Sequence, residues 1–159
     1  MELSIHPVEE KDSTYVLEVF RGWGADFVVS RGRKVYPDDL EGFVARDESG
    51  RNVGLVTYEI DGDQCEIVTL DAFTKFSGIG TALVEAVKDR VKQTCKRLWL
   101  ITTNDNLDAI RFYHHRGFTI AALYPGAIEK SRKLKPTIPM VGCYGIAIRD
   151  EIEFETMLD

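Results

Sequence analysis

Residues 69–87 read TLDAFTKFSGIGTALVEAV: a strand-like run breaks at two closely spaced glycines, Gly78 and Gly80, and passes into a helix. The helix is marked by Ile79, Ala82, Leu83, Ala86, Val87 and Val91 at helical spacing, with Glu85, Lys88, Asp89 and Lys92 on the other side. A strand that ends in a glycine turn and feeds a helix leaves free N–H groups at the helix N-terminus, where the aligned peptide dipoles favour an anion. Glycines there let a diphosphate approach the backbone. They serve equally for tight strand-to-helix packing, so the turn alone leaves both readings open. Two familiar phosphate loops are excluded. A dinucleotide fold wants G-x-G-x-x-G after the first strand, but three residues after Gly80 stands Leu83, and three strands have already passed. A Walker-type loop wants G-x-x-x-x-G-K-[ST], but Gly80 is followed by Thr81 and Ala82.

Upstream of the turn, residues 41–73 contain three strand-like runs separated by DESG and DGD, both of which are hairpin turn chemistry, so an antiparallel meander is expected. Before it, an extended LSIHP leads to a helix over DSTYVLEVFR, which Asp12 or Ser13 can cap and Gly22 can end. Residues 22–42 show no sustained period and read as an irregular excursion. Downstream, RLWLIT is a short apolar run of the kind buried within a sheet, and NLDAIRFYHHRGF is a third helix stopped by Gly117. FTIAALY resumes as strand. A Pro- and Lys-rich connector over residues 125–142 then leads to a last strand, where Ile152, Phe154 and Thr156 alternate with Glu151, Glu153 and Glu155. This order describes an α/β (α+β) domain with a mixed sheet.

The bulk composition narrows the function classes. With 159 residues and 44% hydrophobic content the chain supports one substantial core, a single domain over residues 1–159. A formal charge of −6 argues against nucleic acid as a partner, since a general binder presents a basic face to phosphates. The N-terminus, MELSIHPVEEKDS, carries acids and a proline where a secretory leader needs a basic head and an apolar middle. No later apolar run approaches membrane-spanning length, so a soluble cytoplasmic protein with no membrane partner is expected. Cys65, Cys95 and Cys143 lack the close spacings of a zinc knuckle or redox pair and read as reduced, mostly buried thiols.

KFSGIG, with NLDAIRFYHHRGF about 26 residues after Gly80, resembles the paired signature of the GNAT superfamily of acyl-CoA-dependent N-acyltransferases. The first motif of that family, [QR]-x-x-G-x-[GA], reads here Lys75, Phe76, Ser77, Gly78, Ile79, Gly80. The second, N-x-x-A-x-x-x-Y with a closing Gly-Phe, reads Asn106, Ala109, Tyr113, Gly117, Phe118. The resemblance covers residues 43–124 and fits the two ends loosely. Lys75 departs from the usual Gln or Arg, supplying a point charge in place of a planar fork.

The resemblance implies a mixed, mostly antiparallel central sheet flanked by helices on both faces, with splayed central strands forming the coenzyme cleft. It implies acetyl-CoA (coenzyme A) as co-substrate, no metal, and a small-molecule amine or peptide amino group as acceptor. The N–H groups of residues 76–81, Thr81 included, would cradle the pyrophosphate. Leu70 would offer backbone groups to the pantetheine arm and an N–H to the thioester carbonyl. Asn106 and Ala109 would border the same arm, and Tyr113 would be the general acid that protonates the leaving thiolate.

The general base is less marked. Glu66 shares the strand parity of Leu70 and on that count faces the cleft; an ordinary solvent-facing acid is the competing reading. Glu151 and Glu153 are further candidates, or form a solvated edge with Glu155. If these acids border the pocket together with Asp38, Asp39 and Glu41, a cationic acceptor such as a polyamine is favoured. Trp23 and Tyr36 are candidates to line the acceptor pocket, against a loop that packs its own aromatics on the core. His114 and His115 are adjacent, cannot share a metal on a helix, and read as surface residues. KSRKLK, residues 130–135, is a basic cluster in an acidic chain and reads as a solvated connector, with a role in holding the coenzyme phosphates as the competing reading. Pairing of copies through the last strand is a natural route to a homodimer. The competing function is a non-catalytic acyl-CoA-binding sensor or assembly module.

Overall fold

The computed structural model describes residues 2–74 and 77–159; Lys75 and Phe76, two of the expected cradle residues, lie outside it. Nine strands and four α-helices are formed among the described residues: β1 Ser4–Pro7, α1 Ser13–Arg21, β2 Val28–Ser30, β3 Arg33–Val35, β4 Glu41–Arg46, β5 Asn52–Asp61, β6 Gln64–Ala72, α2 Ile79–Val91, β7 Arg97–Thr103, α3 Leu107–His115, β8 Thr119–Tyr124, α4 Ala127–Leu134 and β9 Glu151–Met157. Seven strands make one sheet in the order β1-β4-β5-β6-β7-β9-β8. Every neighbouring pair is antiparallel except β6 and β7, which are parallel and joined through α2, as a parallel pair requires a crossover.

The two faces of the sheet bury separate clusters. On one, Leu83, Val84, Val87 and Val91 of α2 pack against Val56, Ile67, Leu98 and Leu100, with Tyr113 of α3 and Phe154 completing the layer. On the other, Val16 and Phe20 of α1 cover Val44 and Leu55. An isolated 13-residue helix is marginal in water, so α2 depends on this packing. Its five buried side chains together contribute on the order of 10 kcal/mol of apolar burial, well above any propensity term.

Three expectations are revised. The excursion over residues 22–42 contains the β2–β3 hairpin, closed by Arg31 (φ 49°) and Gly32 (φ 74°). Two successive left-handed residues suit the twist of a tight hairpin, and strands of three residues each are too short to show a period. The 125–142 connector contains α4, whose Ile128 and Ser131 are buried and which packs on β2. The residues that follow it, 143–150, are tied to the start of α3: the Asn104 side chain donates to Ala147 O and accepts from the N–H groups of Arg149 and Asp150, each at 2.9 Å. The Asp105 carboxylate accepts from Cys143 N at 3.0 Å. Finally, β9 is not an edge. It pairs with β7 on one side and β8 on the other, so pairing of copies through the last strand has no free edge to use.

Gly54 lies where α2 comes closest to the sheet. A Cβ there would stand 2.6 Å from Ile79 Cγ2 and 3.1 Å from both Leu83 Cδ1 and Asp71 O. Gly54→Val should lower stability by about 1–3 kcal/mol, read as a lower denaturant midpoint at unchanged slope.

Candidate active site

The parallel β6–β7 ladder is short. It runs from Gln64↔Arg97 to Ile67↔Leu100 and stops there, while β7 stays paired with β9 through Ile101, Thr102 and Thr103. From Val68 onward, one edge of β6 therefore has no strand beside it. A cavity of about 780 Å³ runs through this opening, lined by Leu70 on β6, Gly78 and Gly80 at the glycine turn, and Asn106, Ala109 and Tyr113 from α3 and its start.

The glycine turn forms one end of the cavity. Gly78, with φ 88°, occupies the left-handed region, and a Cβ on Gly80 would press 3.2 Å from Phe112 Cζ. The first helical hydrogen bond is Ala82 N to Gly78 O, so the N–H groups of Ile79, Gly80 and Thr81 precede the helical ladder. Ser77 turns its hydroxyl back to Thr74 O at 2.6 Å. Beside this turn stands Arg116, whose Nη1 donates to Thr81 Oγ1 at 2.7 Å, with Arg111 and His115 also on the cavity wall. Arg116 thereby places positive charge next to the helix N-terminus. The sequence reading passed over Arg116 because it stands at the helix stop beside Gly117; an arginine four residues behind Phe112, which packs on the turn, was the available signal.

Tyr113 sits deeper. Its ring meets Phe112 and Phe118 edge-on at centroid distances of 5.2 and 5.4 Å and lies 6.1 Å from Phe154. Burial pushes its phenol well above the ordinary range, so the group is protonated at neutral pH. No described residue shares a hydrogen bond with its hydroxyl, and the residue lines the cavity. Asn106 also lines the cavity without a side-chain hydrogen bond to any described residue, in contrast to Asn104, which is fully engaged in holding the β8–β9 segment.

The carboxylates fall out differently from the parity expectation. Leu70 pairs with Val56, but Glu66 pairs with Glu59, because the register shifts by one residue at a β-bulge where Val68 is the extra residue. Positions 56 and 59 differ by an odd number, so Leu70 and Glu66 point to opposite faces. Leu70 looks toward α2, while Glu66 lies on the α1 face, one rung before the β6–β7 ladder ends. Its buried carboxylate accepts from Ser30 Oγ at 2.6 Å and lies 3.6 Å from Arg33. Desolvation raises its pKa, partly opposed by Ser30 and Arg33. It opens on a second cavity of about 850 Å³ shared with Arg31, Asp39, Glu59 and Trp99.

The remaining acids are largely paired. Glu151, on the wall of the main cavity and 2% exposed, holds Arg31 Nη1 at 3.2 Å, and the Arg31 guanidinium also covers the Tyr124 ring at 3.3 Å. Glu153 and Glu155 hold Arg97 at 2.5 and 2.6 Å, and Tyr124 donates to Glu153. Glu41 accepts from Arg90, outside the cavity, while Asp38 and Asp39 are exposed. The expected acidic pocket is thus mostly neutralised by arginines.

Two further charged residues on the main cavity wall, Asp71 and Lys135, bear on the site. Asp71, next to Leu70 but on the α1 face, has no hydrogen bond or ion pair with a described residue, and desolvation raises its pKa. Lys135 is 5% exposed, equally without partner, and desolvation lowers its pKa. KSRKLK is therefore not a solvated connector at its last residue. Trp23 lines the cavity, whereas Tyr36 packs on Phe27.

The model of the acetyltransferase (GNAT) family matches residues 4–118 of this chain. A Bacillus subtilis protein, the uncharacterised YdhI, is 52% identical over 123 residues, which is 77% of each chain. Among solved structures, a GNAT family acetyltransferase from Elizabethkingia anophelis with acetyl-CoA bound superposes with a TM-score of 0.74 at 20% identity, covering 98% of both chains. A Bacillus subtilis acetyltransferase in complex with CoA superposes with a TM-score of 0.72 at 19% identity, over 99% of this chain and all of the other.

The buried phenols set an alkaline limit on stability. Burial also pushes Tyr15 and Tyr58 up to about 12, while the unfolded chain ionises near 10.0, so the unfolded state loses protons first as pH rises. Stability is therefore full below about pH 10 and falls from there upward. Tyr113→Phe should show a shallower fall in unfolding midpoint over that range than the parent, measured by denaturant titration at each pH.

Proposed function

The chain belongs to the GNAT family of acetyltransferases, and from that premise we propose that it moves an acetyl group from acetyl-CoA to a primary amine by direct transfer in a ternary complex. The observation that carries this reading is the opening between β6 and β7, with the N–H groups of the first turn of α2 and Arg116 at one end and the buried Tyr113 phenol along it. The fit to the coenzyme is testable on the glycines. Gly78 leaves the backbone bare where a diphosphate would come close, Gly80 lets the turn pack on Phe112, and Ile79, Gly80 and Thr81 N–H groups would hold the diphosphate with Arg116. Lys75, Phe76 and Ser77 complete the proposed cradle. Asn106, Leu70 and Ala109 would border the pantetheine arm, with backbone groups on the unpaired edge of β6 as partners for its amides.

The coenzyme supplies an activated acyl group as a thioester. As the amine nitrogen bonds to the acyl carbon and the C–S bond breaks, Tyr113 donates its proton to the leaving sulfur. A phenol held neutral by burial suits this role, because it keeps its proton until a thiolate, with a pKa near about 8.5, can accept it. For the base we propose Glu66, acting through a water. It lies on the α1 face one rung before the last pair of the β6–β7 ladder, and its raised pKa moves it toward the range of a useful base. Three unpaired thiols, Cys65, Cys95 and Cys143, agree with a reducing, cytoplasmic setting.

Thiol release from acetyl-CoA against a panel of amines tests the reading. Tyr113→Phe should lower kcat by roughly 10²–10⁴ while coenzyme still raises its melting temperature. Glu66→Gln should remove the rise of kcat/KM with pH that deprotonation of the base produces. Coenzyme binding without release for any amine would replace the enzyme by a non-catalytic acyl-CoA sensor.

A further inference from the structure

Lys135 is a buried charge on the main cavity wall that the proposed transfer does not use. Its ammonium has no hydrogen bond or ion pair with a described residue, although the side chain is 5% exposed. Among the described residues, no side-chain nitrogen or oxygen sealed from solvent lacks a partner. The Lys135 nitrogen, which has none, is therefore open to solvent, and the residue forms part of the cavity wall. A desolvated ammonium without a counter-charge is unfavourable by itself, and so marks a place where an anion is expected to bind.

Its position separates it from the phosphate end. Lys135 follows α4, which packs on β2, and its Cε comes 3.9 Å from the point where a Cβ on Gly24 would lie. These elements belong with α1 on one face of the sheet, whereas the glycine turn and Arg116 belong with α2 and α3 on the other. Around Lys135 the cavity is apolar, with Trp23, Val28, Ile138 and Pro139 on its wall. Asp71, the unpaired carboxylate, lines the same cavity on the same face and makes no ion pair with Lys135.

On the α1 face the cavity wall carries, among the described residues, one unpartnered cation and one unpartnered anion, kept apart by apolar wall, and that pair is complementary to a zwitterion. Resting on the N-acetyltransferase reading, we infer that the acceptor is an amine that also carries a carboxylate, an apolar amino acid or a compound like it, with the carboxylate held by Lys135. The amine end is then turned toward Asp71 and the unpaired edge of β6. Polyamines, which the acidic composition of the strands suggested, are disfavoured: most of those acids are held by Arg31, Arg33 and Arg97, and a polycation would meet Lys135.

The test uses matched acceptors: leucine with isoamylamine, phenylalanine with phenethylamine, and spermidine as the polycation. The parent protein should favour the carboxylate-bearing member of each pair in kcat/KM by roughly 10- to 100-fold, the range of a charge-assisted contact. Lys135→Met should collapse that preference through KM, with kcat little changed, and Lys135→Arg should restore most of it. Circular dichroism of each variant confirms that it is folded. No preference in the parent, a preference for spermidine, or a preference that survives in Lys135→Met would overturn the inference. So would a Lys135→Met effect confined to the KM for acetyl-CoA, which would assign the ammonium to the coenzyme phosphates. If no amine releases thiol, calorimetry on the CoA-saturated protein separates the two ideas. Binding of the amino acid but not its carboxylate-free partner, abolished by Lys135→Met, keeps the anion site while the acetyltransferase reading falls; binding of neither overturns both.

Discussion

The loss of pairing between β6 and β7 beyond Ile67↔Leu100 is the constraint on which the rest of the molecule depends. A sheet that opens in its middle exposes backbone groups that water or a ligand must satisfy, and both halves need support from elsewhere to stay apart. On the β6 side that support is the long ladder with β5 and the α2 layer beneath it. On the β7 side it is β9, inserted between β7 and β8 and paired along both edges. The order of strands is therefore part of the site: a β9 at the sheet edge would leave β7 without the partner that holds it away from β6.

The β-bulge at Val68 acts at the same point. One extra residue reverses which side chains of β6 face which layer, so the strand carries Leu70 toward the α2 side and Glu66, Thr69 and Asp71 toward the α1 side. A single strand thus serves two compartments, with the backbone edge between them. The proposed chemistry needs this division, because acid and base must reach the reacting atoms from different directions.

Charge is distributed with similar economy. Arg31, at the left-handed tip of the β2–β3 hairpin, ties that hairpin to Glu151 on β9 and to the Tyr124 ring. Arg33 and Ser30 of the same hairpin engage Glu66. The short hairpin, which contributes little to either hydrophobic cluster, is held mainly by these polar contacts and controls the surroundings of two buried acids. Pairs of this kind contribute modestly to stability when exposed and are expensive to break when buried, so their main consequence here is to fix which charges remain unpaired in the cavity.

Much of this was legible from local sequence. The helix at residues 79–91, the meander marked by DESG and DGD, the stop at Gly117 and the paired motifs ending in Gly80 and Tyr113 all rest on spacing within a few residues, which the backbone reads directly. The β2–β3 hairpin was not, because three-residue strands carry no period, and α4 was masked by the prolines and lysines around it. The face of Glu66 was misjudged because parity counts residues and a bulge breaks the count without any local mark. The sequence by itself determined most of the elements, the family and the position of the glycine turn, since each is a matter of local conformation and short-range pattern. Only the tertiary structure decided which acids are neutralised, that β9 is interior, and that Lys135 and Asp71 stand unpartnered in one cavity, because burial and charge pairing depend on residues brought together from distant parts of the chain.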